Sequence, residues 1–488
     1  LELVLISQAS NENAKTADTT PSFYSDIIEA TEDEIKYFFG VEDSFKKWNI
    51  GAPKTPKEVK VEIPIDVEKL VELSFGIFGK SGTGKTFLGN ILAGYIAVYD
   101  AIKANKDPQA QRIRLLIFDM HSEYSLELRD NMGNPIAKGI ANIFSDRFKR
   151  YTPDVELADK RGLHLLKINY SELTVDDIRL IAPVFGVTTT FLNYLYDYEK
   201  ILKRKLGDLW VWGFILDNNV ASKLEKTEEG RRILNEIQKQ TGKNDFDEIR
   251  KDITSAMKEL GAGLHSFRSQ TSKLKALINY PFTCGKSSID DIVDNLISRD
   301  GQSIVISFGK YEKETPLYMI IANLIARRLR EKIIDKSVKG EEIETKIIIF
   351  LEEAHNFLGK TTYRQSPFGA IAREMRKKGV MLCVIDQKPG ELDSDVVSML
   401  WTNFIFTLTD KNDIEAALIG IPRAELFKKV VPVLDRREVL IYGEAVGFPV
   451  VVKVKDYADI AKFFIEQMKK MKDDITKKEK ELIESGFI

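Results

Sequence analysis

Apolar residues along this chain follow two rhythms. Short, nearly unbroken runs end at glycines or polar residues: Leu73–Phe78 (LSFGIF), Arg114–Asp119 (RLLIFD), Leu163–Ile168 (LHLLKI), Ser303–Phe308, Lys346–Leu351, Val380–Ile385 and Phe404–Leu408. Such runs predict strands buried on both faces of a parallel sheet. Between them apolar positions recur on a helical period, as at Thr86–Tyr99, and the alternation predicts an α/β core. Val59–Ile65 (VKVEIPI) alternates apolar and charged residues, which predicts a half-exposed strand at the edge of a small β-unit. Val439–Tyr442 with Val450–Val454 predict a closing hairpin, and Ile460–Glu484 a lysine-rich amphipathic helix.

From Thr174 to about Leu296 the pattern changes to long charged segments of helical period: TVDDIRLIAPVFG, FLNYLYDYEKILKRKL, RRILNEIQKQ and DEIRKDITSAMKEL. This block predicts an all-helical insertion. Gln8–Thr20 is small and polar and reads as a connector. The expected organisation is an N-terminal region with the small β-unit (1–66), a core in two parts (67–173 and 301–457) around the insertion (174–300), and a C-terminal helical extension (458–488).

Composition narrows the class. With 43% hydrophobic and 30% charged residues and a formal charge of −2, the chain is not coated with positive charge for indiscriminate nucleic-acid binding. Two cysteines and four scattered histidines write neither a disulfide framework nor a zinc pattern, which points to a reducing compartment. No uncharged apolar run reaches the ~18 residues of a membrane span, so a cytoplasmic protein without membrane contact is expected. The opening LELVLISQAS has neither Met nor a basic leader and reads as a trimmed chain.

Candidate chemistry sits at the ends of the strand-like runs. Gly79-Lys80-Ser81-Gly82-Thr83-Gly84-Lys85-Thr86 satisfies GxxxxGK[ST] between a predicted strand and helix. Glycines let backbone N–H groups converge on phosphate oxygens, the Lys85 ammonium neutralises β/γ charge, and the Thr86 hydroxyl ligates Mg²⁺. Lys346–Phe357 (KIIIFLEEAHNF) ends a strand in two acids, Glu352 on the metal side and Glu353 polarising the attacking water. Asp119 and Glu123 are candidate second carboxylates, on the reasoning that Asp119 tips a strand beside the nucleotide strand; a loop that only packs is the alternative. His121 either orients water or is structural. Gln387, at the tip of the strand next to the acidic one, can sense a γ-phosphate without competing for metal. Arg373 or Arg376, on the basic helix end AREMRKKG, offers a planar fork for transition-state charge supplied to a neighbouring subunit, or else a solvated terminus.

Taken together, GKSGTGKT, LLIFDMHSEY, IIIFLEEAHNF, AREMRKKG, IDQKPGELD and YGEAVGFPVVVKV, in this order, resemble the archaeal HerA family within the HerA–FtsK branch of RecA-like ATPases, from Asn49 to roughly Tyr457. The resemblance implies a RecA-like P-loop core, ATP and Mg²⁺, a homo-hexameric ring that translocates on double-stranded DNA in end processing or repair, and partnership with a NurA-type nuclease. It assigns Lys85 and Thr86 to the nucleotide loop, Glu352 and Glu353 to the acidic pair, Gln387 to the sensing glutamine, and Arg373 or Arg376 to the finger. Departures from the family pattern are Leu73-Ser74 where a basic residue is usual, Ser122 in the usual HGEY, Asp386 where Ser precedes the glutamine, and a reduced N-terminal barrel; a divergent paralogue is expected. Lys360 and Arg364, after the acidic strand, offer cations to DNA phosphates in a channel, or form a solvated loop. The rival expectations are a packaging or conjugation pump of the same fold, and an ATP-dependent assembly switch that is not a motor.

Overall fold

A computed structural model describes residues 28–206 and 272–484 except 44, 56–58, 130–131, 281 and 284–285, together with 7–10, 13–16 and scattered positions between 231 and 270. Twelve strands form one sheet: β1 Lys47–Pro53, β2 Ile63–Asp66, β3 Phe75–Phe78, β4 Arg112–Asp119, β5 Phe148–Thr152, β6 His164–Leu165, β7 Ser303–Ser307, β8 Thr345–Leu351, β9 Val380–Asp386, β10 Thr402–Ile405, β11 Glu438–Gly443 and β12 Val450–Val454. Their spatial order is β6-β5-β7-β4-β8-β9-β3-β10-β11-β12-β1-β2. The first eight in that order run parallel, and the remaining four continue antiparallel.

The unbroken apolar runs are explained by burial on both sides. In β8, Ile347, Ile349 and Leu351 face a core built with the helices Val175–Ile181, Ile289–Ile297 and Thr315–Val338. Its alternate residues Ile348 and Phe350 face a second core with the helices Lys85–Lys106 and Tyr457–Glu484. Among the described residues no helix is long and apolar enough to cross a membrane.

Several elements differ from the sequence reading. The strand at Val59–Ile65 begins at Ile63, and with β1 it extends the main sheet, so the N-terminal β-unit is continuous with the core at these residues. Its four residues are all buried, and Asp66, on the side expected to meet water, instead caps the short helix Val67–Leu70 by accepting from the Lys69 N–H. Ser7–Ser10 and Asn13–Thr16 pair antiparallel where a connector is expected. The run Leu163–Ile168 divides into β6 and the short strand Ile168–Asn169, which pairs with Phe282–Thr283. Strand β5 and the hairpin Glu127–Arg129/Pro135–Lys138 carry no apolar run and escape the pattern. In the insertion Val175–Ile181, Thr189–Asn193 and Leu195–Leu206 are helical, whereas RRILNEIQKQ and DEIRKDITSAMKEL lie mostly outside the described residues; the strand Phe282–Thr283 shows that the block is not all-helical.

At the N-terminal edge of the parallel strands, one carboxylate ties the helix Lys85–Lys106 to the sheet. Asp100 accepts from Arg112 Nε (3.0 Å), Arg112 Nη2 (2.7 Å) and the Ile113 N–H (2.7 Å), with Arg114 Nη1 at 3.5 Å and Arg147 Nη1 at 3.7 Å. Burial pushes the Arg114 guanidinium down to about 10 against the pull of Asp100. Asp100→Ala leaves Arg114 buried beside two further guanidiniums, and we expect a loss of about 3–5 kcal/mol in urea unfolding. A loss below about 1 kcal/mol, the scale of an exposed pair, would show that the cluster is solvated rather than buried.

Candidate active site

The parallel strands deliver their C-terminal tips to one edge, and the chemistry collects there. Strand β3 ends at Phe78 and the glycine-rich loop turns into the helix Lys85–Lys106. Gly84, at the cap of that helix, has φ +121, which a side chain would strain, and a Cβ on Gly79 would lie 2.6 Å from Cβ of Phe406. Lys85 curls back over the loop, its Nζ donating to the Gly79 carbonyl (2.7 Å) and the Lys80 carbonyl (2.9 Å). Burial lowers its pKa, opposed by Glu353, Glu352 and Asp386. The helix N-terminus carries no acid in its first turn, so its positive end stays available to an anion.

Strand β8 presents the acidic pair, and the two carboxylates differ in environment. Glu352 is buried, 7% exposed, with one long contact to the Met120 N–H at 3.4 Å. Burial holds its pKa well above the usual carboxylate range, and Asp119 and Glu123 add to the shift. Glu353 has a left-handed backbone (φ +46), a conformation that costs a non-glycine residue about 1–3 kcal/mol and that collects at functional sites. Its Oε1 accepts from Gln387 Nε2 at 2.6 Å. Strand β9, which carries Gln387 just past its end, lies between β8 and β3, so the amide and the carboxylate meet above adjacent strands.

Asp386, the residue before Gln387, holds His355. Its carboxylate accepts from the His355 N–H (2.7 Å) and the Lys388 N–H (2.8 Å), and lies 3.0 Å from His355 Nδ1. The hydrogen bond to Asp386 raises the His355 pKa; Glu353 Oε2 stands 3.7 Å from the same nitrogen.

Asp119 does not reach the cleft. Strand β4 is separated from β3 by β8 and β9, so Asp119 is not beside the nucleotide strand, because order along the chain is not order across the sheet. Its buried carboxylate is spent on a turn, accepting from the N–H groups of Glu123 (2.8 Å), Tyr124 (3.1 Å) and Ser125 (2.7 Å). The acid presented to the cleft from this turn is Glu123; burial raises its pKa, and the Thr86 hydroxyl opposes that shift. Ser122, where glycine is usual in the family pattern, is left-handed (φ +61), and its hydroxyl shares a 2.5 Å hydrogen bond with that of Ser307.

Together these groups line a cleft of about 770 Å³, with Ser81, Gly82, Gly84, Lys85 and Thr86 on one wall and Glu352, Glu353 and Gln387 on its floor. His121 is at its margin, 3.8 Å from Glu312. Arg373 and Arg376 are exposed and do not line it; the Arg373 guanidinium stacks 4.9 Å over the Tyr363 ring. Lys360 and Arg364 are exposed on a loop anchored by the bridge between Gly359 and Leu392. Sequence reasoning missed the cleft's basic wall, Arg436, Arg437, Lys453 and Lys455, in or beside the closing hairpin. No spacing rule connects residues so distant along the chain.

A glycine loop between β3 and its helix, an acidic pair at β8 and a glutamine at β9 define a RecA-like P-loop nucleotide-binding fold. The family description "Helicase HerA, central domain" matches residues 48–329. A probable DNA double-strand break repair helicase HerA of Methanocaldococcus jannaschii is 30% identical over 433 residues, covering 84% of this chain and 76% of that protein. The chain belongs to the HerA family. It is also 26% identical to the HerA of Sulfolobus acidocaldarius over 283 residues (53% of this chain, 55% of that protein), and 31% identical to a probable helicase of M. jannaschii over 161 residues (31% and 30%). The chain thus spans between about a third and a little over half the length of these two relatives. The conjugative coupling protein TrwBdeltaN70 aligns with a TM-score of 0.45 at 14% identity over 86% of this chain and 96% of that one, a likeness too distant to bear on function.

The His355–Asp386 pair has a pH signature. A histidine whose pKa is raised on folding adds stability that is fully present below its unfolded value, about 6.5, and is lost as pH rises through the folded value. We expect the difference in melting temperature between wild type and Asp386→Asn to be largest below about pH 6.5 and to shrink as pH rises above it. A difference constant across pH 5–9 would mean that Asp386 acts only through its backbone hydrogen bonds.

Proposed function

We propose that this protein is an ATP hydrolase that works as a ring on double-stranded DNA. The observation that carries the hydrolase part is the meeting of Lys85, Glu353 and Gln387 in one cleft, from three segments far apart in the chain, with Glu353 and Gln387 joined by a 2.6 Å hydrogen bond. In this reading the loop N–H groups and Lys85 hold the β- and γ-phosphates. Glu353 accepts a hydrogen bond from the attacking water and orients it. Gln387, tied to that carboxylate, reports whether a γ-phosphate is there, so sensing and water activation share one contact. Glu353 would move from Gln387 toward the water as ATP turns over, and its left-handed backbone fixes where the side chain starts.

The acids here fit a magnesium ion. Glu352 is buried with only one long hydrogen bond, and burial and its acidic neighbours disfavour its charge, a situation that an oxygen-loving cation relieves. Thr86 and Glu352 would hold it, and when bound it would neutralise charge on the phosphate oxygens. Asp119 would serve only as the buried support of the turn that carries Glu123.

The DNA part rests on family membership and on surface chemistry. Relatives carry the name of DNA double-strand break repair helicase. Lys360 and Arg364 are exposed on a loop that leaves β8 beyond the acidic pair, where cations in a channel would meet phosphates. The proposed division is an N-terminal region (1–66), a core in two parts (67–173 and 301–457) around a helical insertion (174–300), and a C-terminal extension (458–488), with a NurA-type nuclease as the proposed partner. The deciding experiment is ATP turnover with and without linear duplex DNA: we expect stimulation by DNA, and no turnover in Lys85→Ala. Turnover indifferent to DNA would remove the motor while leaving the hydrolase.

Arg373 and Arg376 lie outside their own cleft, which suits a finger for the adjacent subunit. A guanidinium on transition-state charge is worth about 10³–10⁵ in rate. Ala at one of the two positions should leave ATP binding intact and abolish turnover, and mixing that variant with Lys85→Ala subunits should recover activity at interfaces that join an intact lysine to an intact arginine. No recovery, with subunit exchange shown independently, would mean that neither arginine acts across a boundary.

A further inference from the structure

The basic wall of the cleft has no role in the scheme above, yet it is built around one residue. Arg437, just before β11, has φ +66, a strained conformation for a side-chain-bearing residue. Two backbone bonds hold it there: its N–H donates to the carbonyl of Thr83 in the phosphate loop (3.3 Å), and its carbonyl accepts from the Val454 N–H (2.9 Å). The strained residue is therefore the junction between the phosphate loop and β12. Its guanidinium donates to Asp456 Oδ2 at 2.9 Å, and both side chains line the cleft.

That ion pair is weak by construction. Its side chains are 43% and 54% exposed, so water and salt screen it. The charges around it are unequal: Arg436 and Lys453 line the same wall, Lys455 is paired with Glu62 (2.7 Å), and Asp456 is the acid among them. The phosphate loop adjoins these residues, and its one cation lining the cleft, Lys85, is a single charge against the several of a nucleotide. A planar guanidinium facing phosphate oxygens forms short, charge-assisted and often bidentate hydrogen bonds, stronger than an exposed carboxylate contact.

We propose that Arg437 is a second cation for the nucleotide's phosphates, supplied by the same subunit from the closing hairpin and restrained at the cleft rim by Asp456. The proposal rests on the reading of the cleft as an ATP site. It differs from the arginine finger in origin, since Arg437 is bonded to its own subunit's loop and needs no neighbour.

The two members of the pair give opposite signs, which separates binding from mere structure. Calorimetric titration with ADP should show about tenfold weaker binding in Arg437→Ala. Asp456→Asn should bind ADP as well as wild type or more tightly, because it frees the guanidinium. Arg437→Gly relieves the positive φ, so it should melt no lower than wild type while sharing the loss of affinity; this guards against a folding artefact. Wild-type affinity in both Arg437 variants would overturn the proposal, as would an Asp456→Asn that weakens ADP as much as Arg437→Ala does. If Lys85→Ala keeps full ADP affinity, the reading of the loop as the nucleotide site fails, and that outcome is distinct from either of these.

Discussion

Parallel strands buried on both faces cannot place charge along their length, so this protein has to hold its charged chemistry at the two ends of the sheet. Eight strands share one direction, and their C-terminal tips deliver the phosphate loop, Glu352, Glu353 and Gln387 to the same edge. The cost of that arrangement is electrostatic. Five acids, Glu123, Glu352, Glu353, Asp386 and Asp456, line one cleft, and burial drives the carboxyls of Glu123, Glu352 and the nearby Asp119 toward their neutral forms. Such an edge is at ease only when cations enter it, which is why a site of this composition suits a metal-bound polyphosphate.

The opposite edge solves the inverse problem. There the helix Lys85–Lys106 sends Asp100 into a set of three guanidiniums, and the carboxylate holds both the helix and β4. One helix therefore carries the phosphate loop at its start and the arginine cluster's counter-charge near its end. Its position relative to the sheet is fixed at both ends by electrostatics and along its length by the apolar core, so the loop is presented from a rigid support.

The antiparallel extension adds a second attachment to the nucleotide edge. Strands β11 and β12 carry basic residues back over the phosphate loop, and β12 pairs with β1, whose Ile50 carbonyl accepts from the Lys455 N–H. The beginning and the end of the described core are thus hydrogen-bonded neighbours, both one contact away from the cleft.

The sequence alone determined the groups whose chemistry is local. A strand, a glycine turn and a helix in succession demand the phosphate loop, and an apolar run that stops at paired acids demands a strand tip; both sat where the apolar pattern put them. Gln387 was legible for the same reason, since β9 is as apolar as β8. What the pattern could not carry is anything set by neighbours across the sheet. Asp119 ends an apolar strand just as Glu352 does, and only the strand order, with β8 and β9 between β4 and β3, decides that one supports a turn while the other faces the cleft. Strand β5, which carries charged residues, and β1 gain their place from pairing partners rather than from their own composition. The basic wall of the cleft was invisible for the strongest reason: Arg437 meets Thr83 because β11 pairs with β10 and β10 with β3, the strand that leads into the phosphate loop, and a contact between remote residues is a property of the folded sheet, with no imprint on the local spacing that a sequence displays.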